Sequence, residues 1–346
     1  MRAAGVEAVV ESESLSVVGL VEVLGHIPRI YGEFRKLIRS ATARRPDVAI
    51  LTDSPDFHLR VAKKLHRRGV PIIYLVAPQV WAWRRNRIRI LQETVRHLLC
   101  IFPFEESFFR EHGVAATYIG HPLARLVRPS MTRSEFFEQH GIAAGSRLVA
   151  LLPGSRTGEI ARHLEPLAAA VARIRQEIPG CVFVCGSPPG FSKHVDDSSF
   201  WERFRRESIQ IVEGSTWDLL ASADIALAAS GTVTIEAALL GTPMVTFYRV
   251  SPLSWMLGRW LVRVPFLSMV NLVAGRAVVP ELIQGGMRAE RLAAEAVRLL
   301  NDDVARGEMR RQLDEVRNIL TAPEHPMDRA VREIEKVLNK ETVNVR

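Results

Sequence analysis

The sequence has few of the residues that form disulfide frameworks or zinc sites. It contains three cysteines in 346 residues. Cys100 and Cys181 stand in apolar runs that resemble β-strands, and Cys185 follows four residues later. Buried free thiols are therefore expected instead of disulfides. The ten histidines are scattered, with no HExxH sequence and no Cys/His cluster, so the sequence predicts no zinc site.

Long hydrophobic runs are also absent. No uninterrupted apolar stretch reaches the ~18 residues that a membrane-spanning helix needs. The first residues lack the basic start and apolar core of a secretory signal, because Glu7, Glu11 and Glu13 occupy that region. Hydrophobic residues make up 47% of the chain and charged residues 24%, as in globular proteins. The sequence therefore predicts a cytoplasmic protein that is long enough for two domains.

Acidic residues are outnumbered by basic ones. Forty-six Lys and Arg stand against 38 Asp and Glu, which gives a formal charge of +8. This surplus suits a polyanion, an anionic membrane surface or a phosphorylated substrate, and it does not choose among them. The basic residues are dispersed among apolar ones and no nucleic-acid-binding module is present, so no nucleic-acid partner is expected.

Short apolar runs alternate with amphipathic stretches along most of the chain. Residues 46–53 are typical of a strand that ends at an Asp, residues 57–69 of a helix that ends at Gly69, and residues 70–78 of the next strand. This alternation predicts parallel β-α-β units. Further strands are predicted at 147–154, 181–186, 208–214, 224–230 and 243–248.

A polar stretch at 124–146 separates two sets of these units. We predict a first Rossmann-like domain at residues 1–143 and a second at 144–314. A helical tail at 315–346 is expected to pack back on the first domain or on a partner. The fold class is α/β with two doubly wound domains, in which ligands bind beyond the carboxyl ends of the strands.

Two turns between a strand and a helix have the features of anion sites. In LLPGSRTGEI, residues 151–160, the glycine allows close approach of the backbone, and Ser155 and Arg156 follow it. The helix N-terminus supplies N–H groups to an anion and Arg156 supplies a positive charge. An ordinary turn with a surface arginine is the alternative.

The second turn is ASGTVTIEAALLGTP, residues 229–243. Ser230, Gly231 and Thr232 form a backbone cradle at a helix N-terminus, and Glu236 lies one turn further on the same face. A carboxylate there can accept both hydroxyls of a ribose whose phosphates lie on the loop. The alternative is a capping hydroxyl with a solvated glutamate. Two such cradles in one domain favour a nucleoside diphosphate.

The stretch DSPDFH, residues 53–58, follows a predicted buried strand. Asp56 precedes an amphipathic helix and is expected to cap it. Asp53 is not at a capping position. Partial burial would raise its pKa and make it a usable general base. An Asp that binds its own loop is the alternative.

Tryptophan and arginine are mixed in APQVWAWRRNRIRI, residues 77–90. Trp81 and Trp83 beside several arginines suit a membrane interface or nucleic acid. The third possibility is that the tryptophans lie in the core and the arginines in water.

The stretch SVVGLVEVLGHIPRIYGEF, residues 16–34, has apolar residues at helical spacing. Pro28 interrupts the pattern, which predicts two short helices that meet near residues 25–28. Burial against the domain is one interpretation. The other interpretation is a face that contacts membrane or acyl chains. Its residues are Val17, Leu20, Val21 and Leu24.

These motifs together resemble those of the lipid A disaccharide synthases, glycosyltransferase family 19. The matching pieces cover nearly the whole chain and occur in the family's order: GLVEVLG, DSPDF, PQVWAWR, FPFEESFF, GHPL, LLPGSR, ASGT with its downstream Glu, PMVTFYR and NLVAGR. The resemblance implies the GT-B arrangement of two facing Rossmann-like domains. It also implies a hexosyltransferase that acts at the cytoplasmic face of the inner membrane as a peripheral protein.

The resemblance implies an inverting reaction. A 2,3-diacylglucosamine unit passes from UDP-2,3-diacylglucosamine to 2,3-diacylglucosamine 1-phosphate (lipid X), which gives the β-1,6 disaccharide 1-phosphate and UDP. It implies no cofactor and no metal, and the sequence contains no DxD motif. A homodimer is possible.

Residue roles follow the matching positions. Asp53 is the proposed general base. The UDP end is assigned to Ser155, Arg156, Ser230, Gly231, Thr232, Glu236 and Asn271, and the acceptor or acyl face to Val17, Leu20, Val21, Leu24, Trp81 and Trp83.

The chain departs from the family at its beginning. The family opens with a GExSGD stretch, which is absent here. The first domain is therefore expected to be incomplete in this chain. Two alternatives remain: another GT-B enzyme of UDP-sugars, or an inactive UDP-binding remnant.

Overall fold

The structure is a computed structural model of the 346-residue chain. It describes residues 5–10, 20–188, 202, 204–262 and 264–344. The chain divides into two compact units. Unit 1 comprises Met1–Ile119 with Pro326–Arg346, and unit 2 comprises Gly120–His325. These limits differ from the boundaries predicted after residues 143 and 314.

Helices and strands alternate as the sequence pattern predicts. The helices in chain order are α1 (Leu20–Arg44), α2 (Pro55–His66), α3 (Ile88–Thr94), α4 (Pro103–Glu111), α5 (Leu123–Leu126), α6 (Arg133–Gln139), α7 (Thr157–Glu177), α8 (Thr216–Ser222), α9 (Thr232–Leu239), α10 (Pro252–Leu261), α11 (Met269–Ala274), α12 (Ala289–Asn301), α13 (Asp303–Leu320) and α14 (Pro326–Asn344). The strands are β1 (Ala49–Thr52), β2 (Ile72–Leu75), β3 (His97–Cys100), β4 (Ala116–Tyr118), β5 (Leu148–Leu152), β6 (Val182–Ser187), β7 (Gln210–Glu213), β8 (Ile225–Ala229), β9 (Met244–Tyr248) and β10 (Glu281–Ile283).

Unit 1 contains a parallel sheet with the strand order β1-β2-β3-β4. Helix α14, from the end of the chain, packs on this sheet. Its Ala330 and Val337 join Ile73, Leu99 and Ile119 in one buried cluster. Residues far apart in sequence therefore share one hydrophobic cluster in this unit.

Unit 2 contains a six-stranded parallel sheet with the order β10-β9-β8-β5-β6-β7. The central strands β5 and β8 are buried at every position, and their sequences LVALL and IALAA are continuous apolar runs. Such runs are typical of parallel strands covered on both faces. The carboxyl ends of β6, β5, β8 and β9 lie side by side, and they position the site described below.

The predicted strands at 46–53, 70–78, 147–154, 181–186, 208–214, 224–230 and 243–248 are confirmed as β1, β2 and β5–β9. The three cysteines are buried free thiols, as predicted. Among the described residues, no helix has both the length and the apolar character to cross a bilayer.

The prediction of two short helices around Pro28 is wrong. Helix α1 continues from Leu20 to Arg44 with Pro28 inside it. A proline removes one backbone donor without ending a helix if the flanking turns hold. Of the predicted apolar face, Val17 lies outside the described residues, and so do the side chains of Leu20, Val21 and Leu24.

Candidate active site

A cavity of about 400 Å³ lies at the carboxyl ends of four strands of unit 2. It is lined by the turns that follow β5, β6 and β8, by the last residue of β9 and by the start of α8. Its lining includes six of the seven residues predicted for the UDP end: Ser155, Arg156, Ser230, Gly231, Thr232 and Glu236. The two predicted anion cradles therefore open into one space.

The β5–α7 turn supplies the first wall. Gly154 has a φ of +119°, a conformation that L side chains rarely adopt, and Arg156 precedes the first residue of α7. The Arg156 guanidinium donates to Oε1 of Glu159 at 3.0 Å, and the Tyr248 hydroxyl donates to the same oxygen at 2.9 Å. Burial and the neighbouring Glu159 charge raise the pKa of Tyr248 to about 12, so the hydroxyl keeps its proton. Arg156 therefore lies at the cavity, and its guanidinium is oriented by Glu159, which Tyr248 of β9 also contacts.

The β8–α9 turn supplies the second wall. Gly231 has an extended backbone and precedes α9, and a Cβ built on it meets nothing within 4 Å. The Ser230 hydroxyl donates to the Leu267 carbonyl at 2.8 Å. The hydroxyl proton of Ser230 is therefore used in a bond within the protein. The N–H groups of the first turn of α9 point along the helix dipole toward the cavity.

Glu236 lies one turn into α9 and lines the same cavity. Burial raises its pKa, and a hydrogen bond from Trp217 opposes that shift. The carboxylate is thus held on one side by an indole and faces the cavity beside the Ser230–Thr232 turn. This arrangement suits an acceptor of hydroxyl groups next to an anion site.

Sequence reasoning missed the third wall, which follows β6. Gly186, Ser187 and Pro188 line the cavity there. A Cβ at Gly186 would come within 2.9 Å of a Leu152 methyl, so glycine permits close packing of β6 on β5. Ser187 is 2% exposed, and its hydroxyl has no hydrogen-bond partner among the described residues.

Asn271, predicted at the UDP end, does not line the cavity. Its amide oxygen accepts from the N–H groups of Val278 and Val279, and its amide nitrogen donates to the Val279 carbonyl and to Glu281. The side chain is 1% exposed. Because these bonds use the whole amide, Asn271 supports the loop after α11 and is not placed to hold a ligand.

In unit 1, Asp53 directly follows β1 and its side chain is exposed. The partial burial on which its prediction as a base depended is not present. Its backbone has a φ of +54°, and its carbonyl accepts from the Tyr74 hydroxyl at 2.6 Å and pairs with Nδ1 of His58 at 2.9 Å. Burial, with the Asp53 charge second, raises the pKa of Tyr74. The unusual backbone of Asp53 is therefore fixed on two sides.

Asp56 does not cap α2, contrary to the prediction. Ser54, with a left-handed backbone, occupies the N-cap position and makes no side-chain capping bond. The Asp56 carboxylate instead accepts from Arg84 at 2.8 Å and also pairs with Arg87. These contacts join the DSPDF turn to the arginines of the 77–90 stretch.

The two tryptophans of the 77–90 stretch have different surroundings. Trp81 is 6% exposed, so its assignment to an acceptor or membrane face is wrong. Its indole donates to buried Glu105 at 3.0 Å, and Glu105 also accepts from the N–H groups of Ile101 and Phe102. Trp83 is 38% exposed, with Arg84 stacked 4.4 Å from its ring centre. Only Trp83 is available to a partner.

The described residues contain no group of three or more His, Cys, Asp or Glu side chains arranged to hold a metal ion. The cavity of unit 2 instead presents Arg156, hydroxyl groups and helix N-termini. These are ligands for an anion.

Comparisons with known proteins show the family of the chain. A family model described as lipid-A-disaccharide synthetase matches residues 1–334. A lipid-A-disaccharide synthase of Solibacter usitatus is 56% identical over 346 residues, which is 100% of this chain and 89% of that protein.

Solved structures share the fold at low sequence identity. The S. aureus MnaA–UDP structure has a TM-score of 0.63 at 14% identity and covers 94% of this chain and 83% of its own. The spinosyn rhamnosyltransferase SpnG with thymidine diphosphate has a TM-score of 0.56 at 18% identity, with 89% and 78% covered. These likenesses confirm the predicted GT-B fold class. By the family model and the close relative, the chain belongs to the lipid-A-disaccharide synthetase family.

Proposed function

We propose that the chain is a lipid-A-disaccharide synthase, a hexosyltransferase that moves 2,3-diacylglucosamine from UDP to the 6-hydroxyl of lipid X. The products are the β-1,6 disaccharide 1-phosphate and UDP. The observation that carries the proposal is the cavity of unit 2, where two helix N-termini and Arg156 meet beside Glu236. Family membership supports the acylated sugars as substrates. Two fold neighbours solved with UDP and with thymidine diphosphate support a nucleoside diphosphate.

The proposed roles follow from charge. Arg156 and the turns at Ser155 and Ser230–Thr232 hold the diphosphate, and Glu236 accepts the ribose hydroxyls. Negative charge grows on the diphosphate as the sugar–phosphate bond breaks. Preorganised N–H groups and a guanidinium stabilise that charge without rearrangement. No metal is needed for this step, because the protein itself supplies the positive charge.

Asp53 is proposed as the general base. In an inverting displacement, one carboxylate removes the proton of the acceptor hydroxyl while UDP leaves from the opposite face of the sugar. The position of Asp53 directly after β1 and its fixed backbone support this role. Its environment within unit 1 is polar, because Asp56 beside it is paired with Arg84 and Arg87 from the stretch after β2.

We also propose peripheral association with the cytoplasmic face of the inner membrane, since both substrates carry acyl chains. Exposed Trp83 with Arg84, and exposed Met256 on α10, are suited to headgroups. Leu20, Val21 and Leu24 on α1 remain part of this proposal by sequence, as does Val17 just before the helix. A homodimer is a further possibility.

The proposal is tested by incubating the purified chain with lipid X and either UDP-2,3-diacylglucosamine or UDP-N-acetylglucosamine. Mass spectrometry should detect the disaccharide 1-phosphate only with the acylated donor. Turnover of UDP-N-acetylglucosamine alone would favour another GT-B enzyme, such as an epimerase. Binding of UDP without transfer to any acceptor would favour a UDP-binding remnant.

Asp53→Asn should lower kcat about a hundredfold or more, because the base is lost. The affinity for UDP should not change, since the cavity that holds UDP belongs to unit 2. Asp47→Asn is the matched control, an exposed acid just before the same strand, and it should keep full activity. Equal losses in both variants would remove Asp53 from its role.

A further inference from the structure

His163 is a buried histidine on α7 that none of the sequence motifs singled out. Its side chain is 0% exposed. Nδ1 lies 2.7 Å from the carbonyl oxygen of Pro153, and the backbone N–H of Arg249 donates to Nε2 at 3.0 Å. One imidazole therefore connects the β5–α7 turn, which carries Arg156, with the residue after β9.

These two partners fix the protonation state of the ring. The N–H of Arg249 can only donate, so Nε2 must be an acceptor, and the Pro153 carbonyl can only accept, so Nδ1 must carry the proton. The ring is neutral. Burial lowers its pKa, which agrees with that assignment; the charged groups that act on it are Glu159 and Arg162 on α7.

The ring also contacts aromatic side chains, and these contacts would explain its presence if His163 served for packing alone. Its centre lies 5.2 Å from that of Phe247 and 5.8 Å from that of Tyr248. Tyr248 is the residue that donates to Glu159, and Glu159 accepts from Arg156. The His163 bonds set the backbone of the turn, and the Tyr248–Glu159 chain sets the direction of the Arg156 side chain.

We propose that His163 is a positioning residue for the diphosphate site: through its two hydrogen bonds it holds the Pro153–Arg156 turn at a fixed place relative to the end of β9. This inference rests on the proposed function, because it assumes that Arg156 meets the diphosphate of a UDP-sugar. The inference predicts that the two hydrogen bonds of the imidazole affect UDP affinity more than the volume of the ring does.

Two substitutions separate bonding from packing. His163→Asn keeps an amide N–H where Nδ1 stood, and so retains the bond to Pro153, but it loses the ring. His163→Phe keeps the ring and its contact with Phe247 but removes both bonds. UDP affinity, measured by calorimetry, should fall roughly tenfold in the Phe variant and less in the Asn variant, on the scale of one or two buried hydrogen bonds.

A packing role predicts the reverse order, with the Phe variant closer to wild type. Steady-state kinetics give a second distinction: KM for the UDP-sugar should rise in both variants while KM for lipid X stays the same. His121→Asn is the control, because His121 is also buried in unit 2 but accepts a hydrogen bond from Leu123, outside the Pro153–Arg156 turn. It should leave UDP affinity unchanged.

Nuclear magnetic resonance of 15N-labelled histidine tests the bond pattern directly. The wild-type chain should show a neutral histidine with its proton on Nδ1, and this signal should vanish in His163→Asn. A proton on Nε2, or UDP affinities that are equal in wild type and both variants, would overturn the inference. Failure of the wild-type chain to bind UDP would instead overturn the proposed function.

Discussion

Glu159 places a negative charge in the wall of a cavity that otherwise suits an anion. Its carboxylate accepts from Arg156 and Tyr248, so its charge is engaged and it orients the guanidinium. The sequence pointed to Arg156, because an arginine after a glycine turn at a helix start is a local pattern. It could not indicate Glu159 on α7, because its partner Tyr248 lies on β9 and the two meet only in the folded protein.

At the residue scale, Gly231 offers a test that separates binding from stability. Its φ is 163°, an extended conformation open to any residue, and nothing lies within 4 Å of a Cβ built there. Gly231→Ala should therefore fold with an unchanged melting temperature. The added methyl would stand at the anion cradle, and UDP affinity should fall roughly tenfold, a change of about 1.4 kcal/mol.

Calorimetry with UDP and thermal unfolding check this pair of outcomes. Gly307→Ala, in the interior of α13 with open space around it, is the matched control. It should raise stability by up to about 1 kcal/mol, since alanine favours helix, without affecting UDP binding. A Gly231→Ala protein that binds UDP as tightly as wild type would contradict the placement of the diphosphate.

At the element scale, periodicity predicted the long strands but not the short ones. Strands β5 and β8 are continuous apolar runs and were found, whereas β4 and β10 have three residues each and carry no periodic signal. The pattern of residues 77–90 likewise could not tell Trp81 from Trp83. What separates the two is Glu105 on α4, a partner from outside the local sequence.

The Trp81–Glu105 bond leads to a prediction that depends on pH. Burial raises the pKa of Glu105 to about 7, and the bonds from Trp81 and from two backbone N–H groups oppose the shift. Trp81→Phe removes one donor, so the ionised carboxylate becomes less favourable and the pKa should rise further. Unit 1 should lose about 2 kcal/mol of stability above about pH 7, and less below it, where the protonated acid predominates.

Trp83→Phe is the control for this prediction, because Trp83 is partly exposed and contacts Arg84. Its effect on stability should be small at all pH values. Unfolding in denaturant at several pH values measures both variants. Equal and pH-independent losses would show that the Glu105 carboxylate does not depend on the indole.

At the scale of the whole molecule, buried neutral histidines predict acid sensitivity. Burial lowers the pKa of His121 to about 4, and His163 is lowered by the same cause. Below the ordinary histidine pKa of about 6.5, these histidines are protonated in the unfolded chain but stay neutral in the folded state. The free energy of unfolding therefore keeps its full contribution from these histidines above about pH 6.5, and it decreases as the pH falls toward about 4.

For His121 alone the loss should reach about 2 kcal/mol at about pH 5. His121→Asn keeps an oxygen where Nδ1 accepts the N–H of Leu123 and cannot take up the proton. Its thermal stability should change less with pH than that of wild type. Identical pH profiles for the two proteins would show that His121 is protonated without cost.

The sequence predicted the class of fold and the two turns at the cavity, because these depend on local patterns of apolar residues, glycines and helix starts. It placed the tail at residues 315–346 on the first domain or on a partner, but it did not predict the unit limits at Gly120 and Pro326, which depend on the contacts of α14 with the first sheet. Asn271 was assigned to UDP by resemblance, and only its four bonds to the protein place it in a supporting role.

The central claim is that the unit 2 cavity holds the UDP part of an acylated sugar nucleotide. A crystal structure of the chain with UDP tests it most directly. The account predicts the diphosphate on the Ser230–Thr232 turn and on Arg156, with the ribose hydroxyls on Glu236. UDP bound elsewhere in unit 2, or bound there with its ribose away from Glu236, would contradict it.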